Sequence, residues 1–326
     1  MEKTASGALF GLAYGDAVGK PTEFRTYAEI VAEYGAAGPR ELTGDPALVT
    51  DDTQMTLAVG EGILAAAAFV PETLEAAWRE TFMAWAVSPD NNRAPGMTCL
   101  RAVGMLAEGR PWVEASQIGS KGCGANMRVA PVALVPGLGD DQIAGAAQLQ
   151  AGLTHGHPTG LVASELTAYA VKLLRDGLAP ADLLATLRAH RAVYREEWLG
   201  DLWKRSPAQS PEEFIALGRR ECAGALDRVA EALGAGRPAG DPCLATGAGW
   251  VAEEALATAL YCYLLSPDDP VAVIARGAAS SGDSDSIACL AGSFAGAALG
   301  LPAWPASWTG RIEYRDRLTR LGAAWD

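Results

Sequence analysis

An all-α fold is predicted from three features of the sequence. Strand signals are scarce, Ala/Leu-rich stretches recur between turn residues, and helix starts and stops are legible. The stretches are Thr4–Val18, Gln54–Phe69, Glu72–Ala86, Pro158–Leu174, Pro180–His190, Pro211–Leu233, Trp250–Leu265 and Ser284–Leu299. In each, apolar residues either repeat at the spacing of one helix face or run nearly all round, the mark of a buried helix.

In the first stretch, Gly11, Gly15 and Gly19 fall at four-residue spacing and give one smooth face for close packing. The helix from Pro211 opens on a capping serine, a first-turn proline and two acids (Ser210, Pro211, Glu212, Glu213), the order a helix N-terminus favours. Stops are marked by Gly177 after Asp176 and Gly234 after Leu233. The best candidate for a loop is Gly234–Asp241, yet motif-bearing segments lie on both sides of it. If they build one site, residues 1–326 form a single domain. No repeat of fixed period is evident.

Composition narrows the class. Of 326 residues, 49% are hydrophobic and 20% charged, which suits a folded chain and not a disordered one. The formal charge of −13 argues against a nucleic-acid backbone or an anionic membrane as main partner. A small anionic ligand held by backbone amides and cations stays compatible with it. The six cysteines are scattered with no CxxC pair, as buried thiols in a reducing cytoplasm would be. The most membrane-like run, Ile287–Leu301, is shorter than the roughly 20 residues a span needs. No basic start followed by an apolar block suggests a signal peptide. A soluble, cytoplasmic, monomeric protein is the expectation.

Two acidic turns stand out. Thr50, Asp51, Asp52 and Thr53 open one Ala-rich helix, and Asp283, Ser284, Asp285 and Ser286 open another. Helix capping is one reading, since Asp, Ser and Thr satisfy the orphan amides of a helix start. However, one cap needs one acid, and each turn carries two beside an apolar core. Carboxylates so placed repel unless protons, basic side chains or metal neutralise them. Hard divalent cations favour this oxygen-donor set. A third acidic piece is "GLAYGDAVGKPTEF": Asp16 reads as structural, while Glu23, in a turn after Pro21, can point into a cleft.

The ordered motifs "GxAxGDAxGxPxE", "TDDT", "GxxMRxxP", "THxHP" and "GDSDxIA", spread from about residue 7 to about residue 300, resemble the ADP-ribosylglycohydrolase family. The resemblance implies a compact helical bundle with helices crossing at steep angles and a site for two Mg²⁺ ions, or Mn²⁺. It assigns Thr50, Asp51 and Asp52 to one ligand cluster, Asp283, Asp285 and Ser286 to the other, and Glu23 to a place near the metals. Where the family has threonine this chain has Ser286, whose hydroxyl can ligate equally well.

"IGSKGCGANMRVAPVAL" places Gly119, Gly122 and Gly124 just before a predicted helix, where a backbone turn can bring amides to an anion. No GKS or GKT follows, so it is not a P-loop. With the resemblance it reads as a cradle for ADP-ribose made by Ser120, Gly122, Gly124 and Asn126, with Arg128 shaping the segment. "LTHGHPTG" holds two of three histidines without a third metal-ligating partner; either caps the next helix, and the resemblance favours His157 as the ligand contact. His190 is expected on a solvated helix face. Trp250 is explained as well by core packing as by the nucleoside side of a pocket.

The implied activity is hydrolysis of the bond between C1 of ADP-ribose and its acceptor, foremost the arginine guanidinium, with ADP-ribose as product. Either Glu23 or Asp283 takes the acid–base role. Two other classes fit less of the sequence: an inactive ADP-ribose binder, which had no need to keep four aspartates, and a metal-dependent phosphohydrolase, for which no local motif is present.

Overall fold

The computed structural model describes residues 3–236 and 240–326, so positions 237–239 of the predicted loop lie outside the described residues. Eighteen α-helices run in order among the described residues. The first half holds α1 Thr4–Gly19, α2 Tyr27–Tyr34, α3 Asp51–Ala65, α4 Pro71–Ala86, α5 Met97–Ala107, α6 Trp112–Ala115, α7 Ala130–Leu134, α8 Asp140–Gly152 and α9 Pro158–Arg175. The second holds α10 Pro180–Ala189, α11 Glu196–Leu199, α12 Pro211–Gly234, α13 Cys243–Thr246, α14 Ala252–Leu265, α15 Pro270–Ala278, α16 Ser284–Leu299, α17 Ala306–Arg311 and α18 Arg315–Trp325. Isolated bridges are the only extended pairing among the described residues, so the all-α class holds.

The eight predicted helices are all present, with ends moved by capping chemistry. The second begins at Asp51 because Thr50, in extended conformation, accepts the Asp52 N–H on its hydroxyl. The seventh begins at Ala252, which leaves Trp250 outside the helix.

Close backbone approach between α1 and α16 positions the site. A Cβ on Gly7 would fall 2.4 Å from the Gly296 carbonyl oxygen, on Gly11 2.3 Å from that of Gly292, and on Gly15 2.0 Å from that of Ala288. A Cβ on Gly19 would meet the Asp285 Cα at 2.5 Å. Each step up α1 is matched by a step down α16, so the two run antiparallel with backbones in contact. The end of α1 therefore sits at the start of α16. Thr22 fastens that corner by donating to the Gly19 carbonyl at 2.7 Å, with the Ser284 hydroxyl 3.0 Å away.

The apolar faces of the other long helices close one continuous buried cluster around this pair. Trp78 packs over Gly62 and donates its indole N–H to the Val59 carbonyl at 2.9 Å. All six cysteines are free thiols, and all but Cys243 are buried. No helix among the described residues is long and apolar enough to cross a membrane. His190 departs from its expected solvated face: it follows the end of α10, packs at a tilt against Tyr169, and its Nε2 lies 2.8 Å from the buried Glu165 carboxylate.

Candidate active site

The start of α3 is organised by a fully buried carboxylate from α1. Asp16 accepts the Thr50 N–H at 2.9 Å and its hydroxyl at 2.9 Å, then the Thr53 N–H at 3.0 Å and its hydroxyl at 2.5 Å. Asp16 is thus structural, as its sequence setting suggested, through hydroxyls and amides and without a basic partner. With the amides of α3 so satisfied, Asp51 and Asp52 are released to face away from their own backbone. Asp51 accepts the Gly96 N–H at 3.2 Å, while Asp52 Oδ1 is buried with no hydrogen-bond partner among the described residues.

The start of α16 brings the second set. Asp283 is the N-cap residue, but its side chain makes no capping bond; its N–H donates to the Ala248 carbonyl at 2.8 Å. Asp285 lies in the first turn and accepts the Ser286 N–H at 3.0 Å. Glu23 reaches the same place from the corner after α1. Glu23, Asp283 and Asp285 each present a carboxylate oxygen, all within 4.8 Å of one another.

These groups meet in a cleft of about 250 Å³ lined also by Phe24, Ala94, Gly96, Met97, Thr98, Gly122, Gly124, His155, Trp250 and Ser286. Among the described residues, no lysine or arginine lines it. Burial, followed by repulsion from Asp285, pushes Asp16 and Asp51 up to about 7 and Glu23 up to about 8. Burial likewise raises Asp52 and Asp283 well above the ordinary carboxylate range, with Asp285 the next cause for both. Burial also raises Asp285 itself. A cluster of this kind keeps its protons near neutral pH or exchanges them for a cation. The orphaned Asp52 oxygen and a carboxylate and hydroxyl donor set with no lysine or arginine beside it among the described residues fit a hard divalent ion.

Across the cleft, the segment 117–125 is stitched on both sides. Gln117 N–H bonds the Thr154 carbonyl at 2.9 Å, and Cys123 N–H bonds the Trp250 carbonyl at 3.2 Å. Gly122 and Gly124 line the cleft, both with negative or unexceptional φ. A Cβ on Gly124 would lie 3.2 Å from Cys99 Sγ and from His155 Cε1. The backbone angle is therefore not what calls for glycine here; space beside His155 is. The other predicted contacts are spread. Ser120 opens onto an adjoining hollow with Thr98 and Arg101, while Asn126 is fully buried and donates to the Ala252 carbonyl at 3.2 Å. Thr50 stands behind Asp52 and does not line the cleft. His157 caps α9, its Nδ1 accepting the Thr159 N–H at 3.2 Å, and it is His155 that lines the cleft.

Two features at the mouth escaped the sequence reading. Phe24, 70% exposed, stacks on Trp250 at 5.5 Å between ring centroids and 17° between planes. Phe24 and Ala94 also hold left-handed backbone, at φ 62° and 53°, a strained state that gathers at ligand sites. The glycine-free "TEF" and "RAP" strings carry no signal of it. Asp90 accepts from the Tyr314 hydroxyl at 2.8 Å in a separate hollow, whereas Ala94 and Gly96 of the loop after it, with Met97 and Thr98 at the start of α5, reach the cleft. A larger cavity of about 450 Å³ between α9, α10 and α12 contains none of the predicted site residues.

The model of one protein family, ADP-ribosylglycohydrolase, matches residues 1–325. The chain belongs to that family. Among relatives, the ADP-ribosyl-[dinitrogen reductase] glycohydrolase of Rhodospirillum rubrum is 36% identical over 162 residues, 47% of this chain and 52% of that one. An Archaeoglobus fulgidus protein of unassigned activity is 31% identical over 48% of this chain and 50% of its own length. The match to these two relatives thus spans about half the length of each. The ADP-ribosylhydrolase ARH3 of Bos taurus is 27% identical over 93% of this chain and 86% of its own. A solved structure titled an ADP-ribosylglycohydrolase-related protein complex superposes with a TM-score of 0.70 at 23% identity, covering 99% of this chain and 96% of that one. This ADP-ribosylglycohydrolase fold is therefore shared along nearly the whole chain.

Proposed function

We propose that this ADP-ribosylglycohydrolase family member is a divalent-metal-dependent hydrolase that releases ADP-ribose from an acceptor, foremost the guanidinium of arginine. The observation that carries the reading is convergence: two helix starts some 230 residues apart in sequence turn their aspartates, and Glu23, onto one cleft bordered by Gly122, Gly124 and His155. The names of the Rhodospirillum rubrum and Bos taurus relatives support the ADP-ribosyl part. Among the described residues the lining is rich in carboxylates and free of lysine or arginine, which suits a cationic acceptor.

Magnesium or manganese ions held by Asp51, Asp52, Asp283, Asp285 and Ser286, with Thr50 behind, would supply a Lewis acid for ribose oxygens and water. The chain's own groups do the remaining work. Glu23 is the least buried of the carboxylates, and burial with repulsion from Asp285 pushes it up to about 8 in the cation-free cleft, which suits it to proton transfer at the acceptor nitrogen. Asp283, better buried and without a capping duty, faces the developing positive charge at C1. The Gly122–Gly124 edge fixes the phosphates and so sets C1 over the acids, a positioning contribution. The stacked Phe24 and Trp250 at the mouth shield the bond from bulk solvent.

The direct test is a panel of arginine-, serine- and ester-linked ADP-ribosyl substrates assayed with magnesium, manganese or excess chelator. Release of free ADP-ribose from the arginine-linked substrate, lost on chelation and restored by metal, is expected. Full turnover after exhaustive chelation would remove the metal from the reading, and turnover of the ester alone would remove arginine.

A further inference from the structure

Arg128 is fully buried and, among the described residues, pairs with no carboxylate. Its guanidinium donates from Nε to Gln150 Oε1 at 2.9 Å, and from Nη2 to the Gln150 carbonyl and to Thr154 Oγ1, each at 2.8 Å. Nη1 approaches Cys99 Sγ at 3.5 Å, and the group lies over the Phe82 ring at 4.4 Å.

A guanidinium only donates. Thr154 Oγ1 is therefore an acceptor toward Arg128, and its own proton is left to give. Two groups are in reach, His155 Nδ1 at 2.8 Å and the Cys99 thiol. A neutral imidazole nitrogen accepts strongly and a thiol sulfur weakly, so the proton goes to Nδ1. The cation behind Thr154 acts in the same direction, because it disfavours a second N–H dipole aimed toward it.

We propose that Arg128 and Thr154 are positioning residues that hold His155 as the neutral Nε2–H tautomer, so that the cleft receives a hydrogen-bond donor there. Nε2 makes no hydrogen bond within the described residues. It stands 3.5 Å from where a Cβ would sit on Gly122 and 3.4 Å from that of Gly124, on the cleft side of the ring. Burial and the Arg128 charge push His155 down to about 3, so the ring carries no charge near neutral pH. An N–H at that place matches a ligand oxygen that bears no hydrogen, as on a phosphate. This ligand half rests on the ADP-ribose reading above; the tautomer half rests on the protein alone.

The experiment is imidazole ¹⁵N NMR on the full chain with magnesium at neutral pH, with His155 assigned by the signals lost in His155→Gln. Only three histidines are present. The expected spectrum has Nε2 protonated and Nδ1 bare. Thr154→Val should mix the tautomers and weaken ADP-ribose binding roughly tenfold, the scale of one lost hydrogen bond to a charged group, whereas Thr154→Ser should keep both properties. A protonated Nδ1 in the unaltered protein, or a Thr154→Val spectrum identical to it, overturns the relay. A changed tautomer with unchanged ADP-ribose affinity overturns the donor role toward ligand. If the unaltered protein fails to bind ADP-ribose, the functional reading falls while the spectrum still decides the tautomer.

Discussion

The two helix starts that carry the carboxylates are built by different means. At α3 one buried side chain does the holding: Asp16 gathers the amides and hydroxyls of Thr50 and Thr53. At α16 the backbone does it: a Cβ on Gly282 would lie 1.8 Å from the Ala248 carbonyl oxygen, and Gly19 presses on Asp285. An aspartate at a helix start ordinarily serves its own amides. Here Asp16 takes that duty at α3, and at α16 Asp283 makes no side-chain capping bond while Asp285 accepts only the Ser286 N–H, so two routes lead to the same end, acids at a helix start with oxygens left for a ligand.

The largest effect should come from removing either hold. Asp16→Ala leaves four donors of Thr50 and Thr53 in a dry core, a loss of about 3–5 kcal/mol, read as a lower denaturant midpoint. Its counterpart, Gly15→Ala, drives a methyl into the Ala288 carbonyl and should cost about 2–4 kcal/mol. If Asp16→Ala melts like the unaltered protein, α3 is held by its packing and the comparison fails on that side.

Next in size, Asp51→Ala and Asp283→Ala should each abolish turnover yet keep the fold. Because each relieves repulsion among acids, the cation-free variants should melt no lower than the unaltered protein, while losing the rise that magnesium gives it. Wild-type activity in both would make these acids ordinary caps.

A smaller effect is expected from pH. Asp16, Asp51 and Glu23 hold protons more tightly folded than unfolded, so the folded state binds more protons between the ordinary carboxylate range and about 7 to 8. Their contribution is fully present below the unfolded values and is lost as pH rises through the folded ones. Cation-free protein should therefore melt progressively lower from about pH 5 to about pH 8.5, and saturating magnesium should flatten or invert that trend. A cation-free melting temperature that climbs over this range would contradict the clustering of the acids.

The smallest perturbation is Gly124→Val, which crowds His155 and Cys99 without violating the backbone angle. ADP-ribose affinity should fall roughly tenfold in calorimetry while magnesium affinity is kept. Equal loss of both ligands would show that the loop and the acids are not separate parts.

Much of this arrangement was readable in the sequence because its causes are local. The four-residue glycine spacing in α1 announced a close neighbour, and the doubled acids announced something beyond a cap. What stayed hidden depends on distant partners. α8 was not foreseen because Gln148 and Gln150 interrupt its apolar pattern, yet both are buried, bonded to Glu165 and Arg128. α15 is rich in valine and isoleucine, residues that favour strands, and its fit against α16 overrides that preference. His155 and His157 look alike in the string, but a proline at the first helical position makes the residue before it the cap, which would have set His157 aside. The Phe24–Trp250 stack joins two loops that no local pattern connects.

The glycine face of α1 also has a consequence for synthesis. It is made well before α16, the surface that covers it. Until α16 is made, that ridge lacks the neighbour it packs against, whereas Asp16 finds its partners at the start of α3 much earlier. The candidate cleft, which needs acids from both α3 and α16, can close only once both of these distant helix starts are in place.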